Sequence, residues 1–328
     1  MKVLVVGGGG REHAIVWKIS QSSKVSKIYC APGNGGISDL AECVDIAATD
    51  IDGMVGFAKN NGIDLTVVAP DDPLALGMVN ALEKEGLKAF GPTKEAARIE
   101  SSKVFAKRLM KKYNIPTAEY EVFDDYEKAK EYLKTVDYPI VIKADGLALG
   151  KGVIIAENKE QAENAIKQMM IEKVFGQAGS QVVIEEFLSG PEVSILTFTD
   201  GNTILPMVSS QDHKRAYDGA RGPNTGGMGT FSPSRVYTPE IAREVERIIL
   251  KPTIEAMRQE GCPFKGVLYF GLMLTDKGVK VLEYNARFGD PETQVVLPRL
   301  KTDLMDIFMA IIDGQLDSID IQWEDNAA

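Results

Sequence analysis

Residues 281–293 read VLEYNARFGDPET and set a carboxylate, Glu283, two positions before an amide, Asn285, in a strand-like run. Side chains at i and i+2 leave a strand on the same face. That spacing puts Val279, Val281, Glu283 and Asn285 on one side and Lys280, Leu282 and Tyr284 on the other. Two oxygen donors converging on one point suit a hard cation such as Mg²⁺, with Mn²⁺ as a substitute. Arg287, Asp290 and Glu292 follow around Gly289 and Pro291, a denser polar cluster than a simple turn requires. The plain alternative is a hairpin edge carrying solvated charges.

Several loops offer matching chemistry. Residues 3–13, VLVVGGGGREH, join a strand to a glycine-rich turn and a helix. The dinucleotide pattern fails there, because Glu12 stands where a third glycine belongs and the second strand ends in Cys30-Ala31-Pro32 without an acid for a ribose hydroxyl. A helix N-terminus approached closely by backbone still suits a lone phosphate. Gly33-Asn34-Gly35-Gly36 could line the same crevice. Residues 145–152, DGLALGKG, resemble a P-loop but lack its spacing and its Ser/Thr, and a strand pattern follows. A glycine loop between two strands is a flap whose N–H groups can cover phosphates. Lys143, on the strand before it, can direct its ammonium to those phosphates or be an ordinary edge lysine. Glu185, Glu186 and Glu192 bracket a turn containing Leu188, where acceptors could take an amino group and a hydroxyl. Residues 211–229, QDHKRAYDGARGPNTGGMG, are long, polar and poor in core residues, which favours a substrate-binding loop over a connector. His213 there suits hydrogen bonding or general-base work.

Positioning these groups requires an alternation of elements. Strand patterns over 2–6, 27–30 and 64–68, with helices beginning at Arg11 and Pro73, predict a parallel sheet with helices on its faces. Two helices are expected over 94–99 and 102–113. Residues 120–187 read strand, helix, strand, glycine loop, strand, helix, strand, a unit of its own. Antiparallel strands should dominate 192–285, interrupted by a helix over 238–257, and two helices should follow over 292–299 and 304–312. The tail beyond Asp313 shows no core pattern.

Composition narrows the function class. With 328 residues the chain is long enough for two domains, and an excess of 47 acidic over 37 basic residues, net charge −10, argues against nucleic acid or an anionic membrane as partner. No apolar run approaches the ~20 residues that span a bilayer, and the first residues form a strand rather than a signal peptide, so a cytoplasmic location is expected. Cys30, Cys43 and Cys262 lack metal-site or disulfide spacing and read as buried bystanders.

In order, GGGGREHA, FGP, SSK with a downstream AK, KADGLALGKGV, VVIEEFLSGPE, SQDHKRAYDGARGPNTGGMG and LEYNARFGDPETQ resemble the phosphoribosylamine–glycine ligase family of the ATP-grasp superfamily over nearly the whole chain. The resemblance implies an α/β and α+β multidomain protein: a Rossmann-like N-terminal domain over 1–100, an ATP-grasp domain over 101–315 with a mobile glycine-flap lid over about 118–188, and a tail over 316–328. It implies that ATP activates glycine as an acyl phosphate, which the amine of 5-phosphoribosylamine attacks, leaving glycinamide ribonucleotide, ADP and phosphate. Lys103, Lys143, Gly150, Gly152, Glu185, Glu186, Leu188 and Glu192 would then hold ATP, and Glu283 and Asn285 the metal. Arg287 would pair with the glycine carboxylate and Asp212 with its ammonium, with Lys143 completing the catalytic set. Gly9, Asn34, His213, Lys214, Asn224, Thr225, Asp290 and the loop near Pro70 would face the substrates.

Residues 69–73, Ala-Pro-Asp-Asp-Pro, depart from the family's Gly-Pro-Glu-Ala-Pro. Family members continue for about another small domain, so the tail is expected to begin one. A Mg-ATP-binding fragment without catalysis and another ATP-grasp carboxylate–amine ligase are the competing readings, and monomer and homodimer are both open.

Overall fold

The computed structural model describes residues 1–147, 152–213, 215–218, 221–225 and 228–328, with backbone alone at 215 and 221–224. Five short strands form the first sheet: β1 (Lys2–Gly7), β2 (Lys27–Pro32), β3 (Glu42–Cys43), β4 (Leu65–Val68) and β5 (Ala89–Phe90). They lie in the order β3-β2-β1-β4-β5 and every neighbouring pair is parallel. The run Val3 to Val6 is apolar throughout because a parallel strand is covered on both faces. Leu4 and Val6 enter one core cluster, Val3 and Val5 the other. Helices α1 (Gly10–Ile19), α2 (Ile51–Asn61), α3 (Asp71–Leu76) and α4 (Met78–Lys84) connect the strands. The helix expected from Pro73 starts at Asp71 and breaks at Gly77, whose φ of +96° ends α3. α2 was not legible as a helix, and Asp50 starts it by accepting from Gly53 N at 2.9 Å.

α5 (Lys94–Ser101) and α6 (Lys103–Lys112) lead into the second sheet. There β6 (Tyr120–Phe123), α7 (Tyr126–Tyr132), β7 (Ile140–Ala144), β8 (Val153–Ala156), α8 (Lys159–Ile166) and β9 (Val182–Glu186) follow the expected succession. The antiparallel order is β6-β9-β7-β8. Ile140, Ile142, Ile166, Met169 and Ile184 give this unit a core of its own.

The third sheet has the order β11-β10-β16-β17, from β10 (Glu192–Thr199), β11 (Ile204–Pro206), β16 (Gly266–Thr275) and β17 (Gly278–Asn285). Between β11 and β16 lie β12 (Gln211–Asp212), β13 (Arg215–Tyr217), β14 (Arg221–Asn224), β15 (Thr230–Phe231), α9 (Pro239–Val245) and α10 (Lys251–Gln259), the two helices joined by a π-helical turn. Phe270 and Leu272 extend the cluster of Leu4 and Val6, while Phe198 and Tyr269 extend that of Val3 and Val5. The first and third sheets therefore share their cores.

α11 (Thr293–Val296) and α12 (Leu304–Asp313) follow. The tail departs from expectation by docking: Leu316 is fully buried, Trp323 packs on the second cluster, and Glu324 N donates to Arg299 O at 2.7 Å. All three cysteines are free, but Cys43 is exposed rather than buried. Among the described residues no helix is long and apolar enough to cross a membrane.

One local irregularity decides how the third sheet presents its polar groups. Gly271 faces Glu283 across the ladder, but Leu272 faces Val281, so Leu282 is the extra residue of a bulge. The expectation that Val279 and Val281 share a face with Glu283 and Asn285 is overturned here. Val279, Val281 and Tyr284 point into the core, and Lys280, Leu282, Glu283 and Asn285 are turned the other way. Without the bulge a strict period of two would have buried Glu283.

Candidate active site

A cavity of about 370 Å³ opens between the second and third sheets, beside α5 and α6. Thirteen of the sequence-derived residues line it: Lys103, Lys143, Gly152, Glu185, Glu186, Leu188, Glu192, Asp212, Thr225, Glu283, Asn285, Arg287 and Asp290. Gly150 and Lys214 lie outside the described residues, as does the side chain of Asn224. His213 is exposed and does not line the cavity; its backbone N donates to Gly229 O at 2.8 Å.

One end of the cavity is an apolar slot. Val141 and Ile155 come from the second sheet, while Leu188, Met273 and Leu282 come from the other side. At its edge Glu185, 4% exposed, accepts through Oε2 from both Lys107 and Lys143 at 3.1 Å. Its Oε1 is buried with no hydrogen-bond partner. A buried carboxylate oxygen without a donor is costly, and a ligand amino group entering the slot would satisfy it. Lys143 also donates to the carbonyl of Leu282 at 3.1 Å, using the bulged residue to join the second sheet to the third. Glu186 is held apart, accepting from Glu119 N at 3.1 Å and from Lys280 at 2.5 Å.

Lys107 was not singled out from the sequence. It is 2% exposed, donates to Thr117 Oγ1 at 2.8 Å, and burial pushes its ammonium down to about 8, Glu185 opposing. Its spacing of four from Lys103 on a helix was the available signal. Lys103 donates to Gly146 O at 2.9 Å, at the edge of the glycine loop, and its pKa is lowered by burial against the pull of Glu283. Asp145 ties the same loop to α6, accepting from Val104 N at 3.0 Å and Ser102 Oγ at 3.1 Å.

The other end of the cavity is charged. Arg287 is fixed at two corners, its Nη2 on Glu100 Oε1 at 2.9 Å and its Nη1 on Phe288 O at 3.1 Å. Its Nε is buried without a partner. Burial works against the guanidinium, but Glu100, Asp71, Glu292 and Glu283 outweigh it and keep its pKa above the ordinary value. Glu100, also missed from the sequence, has its carboxyl pushed up by burial, with Arg287 opposing. The Asn285 amide nitrogen donates to Glu100 Oε1 and to Tyr284 O, both at 3.1 Å, an orientation assigned from these partners. It turns Oδ1 away from Glu100. Among the described residues no group of three or more His, Cys, Asp or Glu could hold a metal alone. Glu283 and the Asn285 carbonyl fit the case in which protein supplies few oxygens and a nucleotide's phosphates supply the rest.

The first sheet meets the cavity through Asp290, whose Oδ2 would lie 3.9 Å from a Cβ added at Gly9. Gly9 N is not free for a phosphate, since it donates to Glu12 Oε2 at 2.7 Å. Asn34 is engaged at both ends of its amide, by Gly8 O at 2.9 Å and by the N–H groups of Gly36 and Ile37 at 2.8 and 2.9 Å. Gly9 and Asn34 therefore shape the crevice at the ends of β1 and β2 rather than offer donors into the cavity. Asp71, which begins α3, reaches the cavity wall from the same sheet.

The sequence matches the family described as phosphoribosylglycinamide synthetase, N domain, over residues 1–100, and its ATP-grasp (A) domain over residues 101–293. A phosphoribosylamine–glycine ligase of Caldanaerobacter subterraneus subsp. tengcongensis is 53% identical over 100% of this chain and 79% of its own length. That of Clostridium acetobutylicum is 52% identical with the same coverage. The crystal structure of the Thermotoga maritima phosphoribosylamine–glycine ligase superposes with a TM-score of 0.82 at 36% identity, covering 96% of this chain and 76% of that one. The biotin carboxylase domain of Hydrogenobacter thermophilus 2-oxoglutarate carboxylase, solved with MgADP, shares the fold at a TM-score of 0.72 and 20% identity, covering 95% of this chain and 69% of that one. With two family matches that meet at residue 100 and half-identical relatives along its whole length, this chain belongs to the phosphoribosylamine–glycine ligase family, an ATP-grasp family of carbon–nitrogen ligases.

Proposed function

We propose that this chain joins glycine to 5-phosphoribosylamine at the cavity between its second and third sheets, through glycyl phosphate, releasing ADP and phosphate. The observation that carries the reading is a single cavity with an apolar slot ending in the unpaired Glu185 Oε1 and, at its far end, Glu283, Asn285 and the buried Arg287 Nε. Adenine fits the slot, its amino group donating to Glu185. Lys143 and Lys103 supply positive charge along the phosphates, at positions fixed by Leu282 O and Gly146 O. Bound to Glu283 and Asn285, Mg²⁺, or Mn²⁺ in its place, would neutralise phosphate charge during transfer. Arg287 holds the glycine carboxylate through Nε, and Asp212, which lines the same cavity, takes the ammonium. Asp145 and Gly146, tied to α6 and to Lys103, stand beside the phosphates, where excluding water would protect the acyl phosphate. Asp290, beside the crevice of the first sheet, lies where the amine of the sugar phosphate would approach.

ADP release in a coupled assay tests this. It should require both glycine and phosphoribosylamine, and Arg287→Lys should raise the glycine KM at least ~10-fold, since a lysine cannot reproduce guanidinium geometry. ATP turnover indifferent to either substrate would refute the assignment.

A further inference from the structure

Glu100, next to last in α5, has a largely buried side chain that reaches β17 and the turn after it. All its contacts there are acceptor contacts. Oε2 takes Ala286 N at 2.6 Å, and Oε1 takes Arg287 Nη2 at 2.9 Å and the Asn285 amide nitrogen at 3.1 Å. One carboxylate therefore grips three consecutive residues.

An amide has one end that can meet a cation and one that cannot. At Asn285 the choice is made by the acceptors facing it, Glu100 Oε1 and Tyr284 O. A backbone carbonyl on the adjacent residue follows the strand, so Glu100 is the partner that a side-chain change can remove. The same carboxylate takes one corner of Arg287, leaving Nε as the donor without a partner.

We propose that Glu100 is a positioning residue: it holds the Asn285 amide with its carbonyl turned toward the metal and braces Arg287 for the substrate carboxylate. This rests on the reading of Glu283 and Asn285 as the metal pair. Glu100→Gln tests it, because a glutamine has one acceptor oxygen for two sets of donors: with that oxygen kept on Ala286 N, its NH₂ faces Asn285, cannot accept from it, and leaves that amide able to turn its own NH₂ toward the cation.

The measurement is calorimetric binding of ADP with and without Mg²⁺, alongside steady-state kinetics. In Glu100→Gln the Mg²⁺-dependent gain in ADP affinity should fall at least ~10-fold, about the effect of losing one charge-assisted contact. Metal-free ADP affinity should stay unchanged and the glycine KM should rise. Adding Asn285→Asp should restore the Mg²⁺ gain, since a carboxylate presents oxygen either way and can accept from the NH₂ of the introduced glutamine. A Mg²⁺ gain unchanged in Glu100→Gln, or a double variant as defective as the single one, overturns the proposal. Should Glu100→Gln fail to fold, Glu100→Asp takes its place. One methylene shorter, it cannot reach Ala286 N and Asn285 together, and it should show the same selective Mg²⁺ loss; no loss would overturn the proposal. Glu283→Gln separates the two levels: if it abolishes the Mg²⁺ gain while the Glu100 variants keep it, only the positioning role fails. If Glu283→Gln keeps the gain, the metal pair itself is wrong.

Discussion

Lys107 makes a pH-dependent nucleotide site out of a buried ion pair. Lys107 is 2% exposed, its ammonium lies 3.1 Å from Glu185 Oε2, and burial pushes its pKa from the ordinary 10.5 to about 8. Once the proton leaves, Glu185 keeps the Lys143 ion pair but loses the charge of Lys107, and the slot becomes more negative. If nucleotide binds only the protonated form, the apparent dissociation constant rises about fivefold from pH 8 to pH 9 and about tenfold per unit beyond. Calorimetric titration with MgADP across about pH 7 to pH 10 reads this directly. Lys107→Arg, whose guanidinium stays charged throughout, should flatten the curve. Lys107→Met should bind weakly and without this pH dependence. Folding stability moves the other way. The folded-state pKa lies below the unfolded one, so the unfolded chain holds more protons in this window, and the Lys107 contribution to stability rises with pH from about 8 toward 10.5. Weaker binding without a lower melting temperature is therefore the signature. Affinity that is flat in the unmodified chain, or that falls identically in Lys107→Arg, would refute the argument and point to Lys103, whose pKa burial also lowers.

Three further outcomes are expected. Glu185→Gln leaves the buried ammonium of Lys107 without its carboxylate, and unfolding by denaturant should show a loss of ~3 kcal/mol, with MgADP binding at least ~10-fold weaker. Asp145→Ala removes acceptors for Val104 N and Ser102 Oγ, which should lower stability by ~1 kcal/mol in thermal unfolding and raise the ATP KM by loosening the glycine loop. Gly190→Ala would place a Cβ 2.1 Å from Leu274 O at a φ of +152°; melting should report a loss of ~2 kcal/mol or more.

Much of the cavity lining was legible in the sequence because it comes from short contiguous motifs. Glu283 and Asn285, the acids from Glu185 to Glu192, and Lys143 each sit in a short motif that alone reads as readily as ordinary surface charge, and it is the ordered set of motifs that marks them. Glu100 and Lys107 were missed for the opposite reason. Each lies on an amphipathic helix among other charges, and apart from the spacing of four between Lys103 and Lys107 nothing local separates a buried, paired charge from a solvated one. The docked tail was also hidden, since Leu316 and Trp323 have no periodic company and find their partners only on a distant cluster.

Much of the order of elements followed from the sequence alone, since periodicity and glycine breaks are local, although α2 and the two-residue strands β3 and β5 did not. So did the chemical inventory: oxygen donors, lysines near a glycine loop, and an arginine after the acid–amide pair. What only the tertiary structure decided is the face on which that inventory appears. Counting by two from Val279 assigns Glu283 to the core side, and the bulge at Leu282 reverses it. A bulge arises from pairing with β16, so its energy belongs to two strands, and no reading of one can reveal it. The orientation of the Asn285 amide has the same origin, set by a carboxylate 185 residues earlier in the chain.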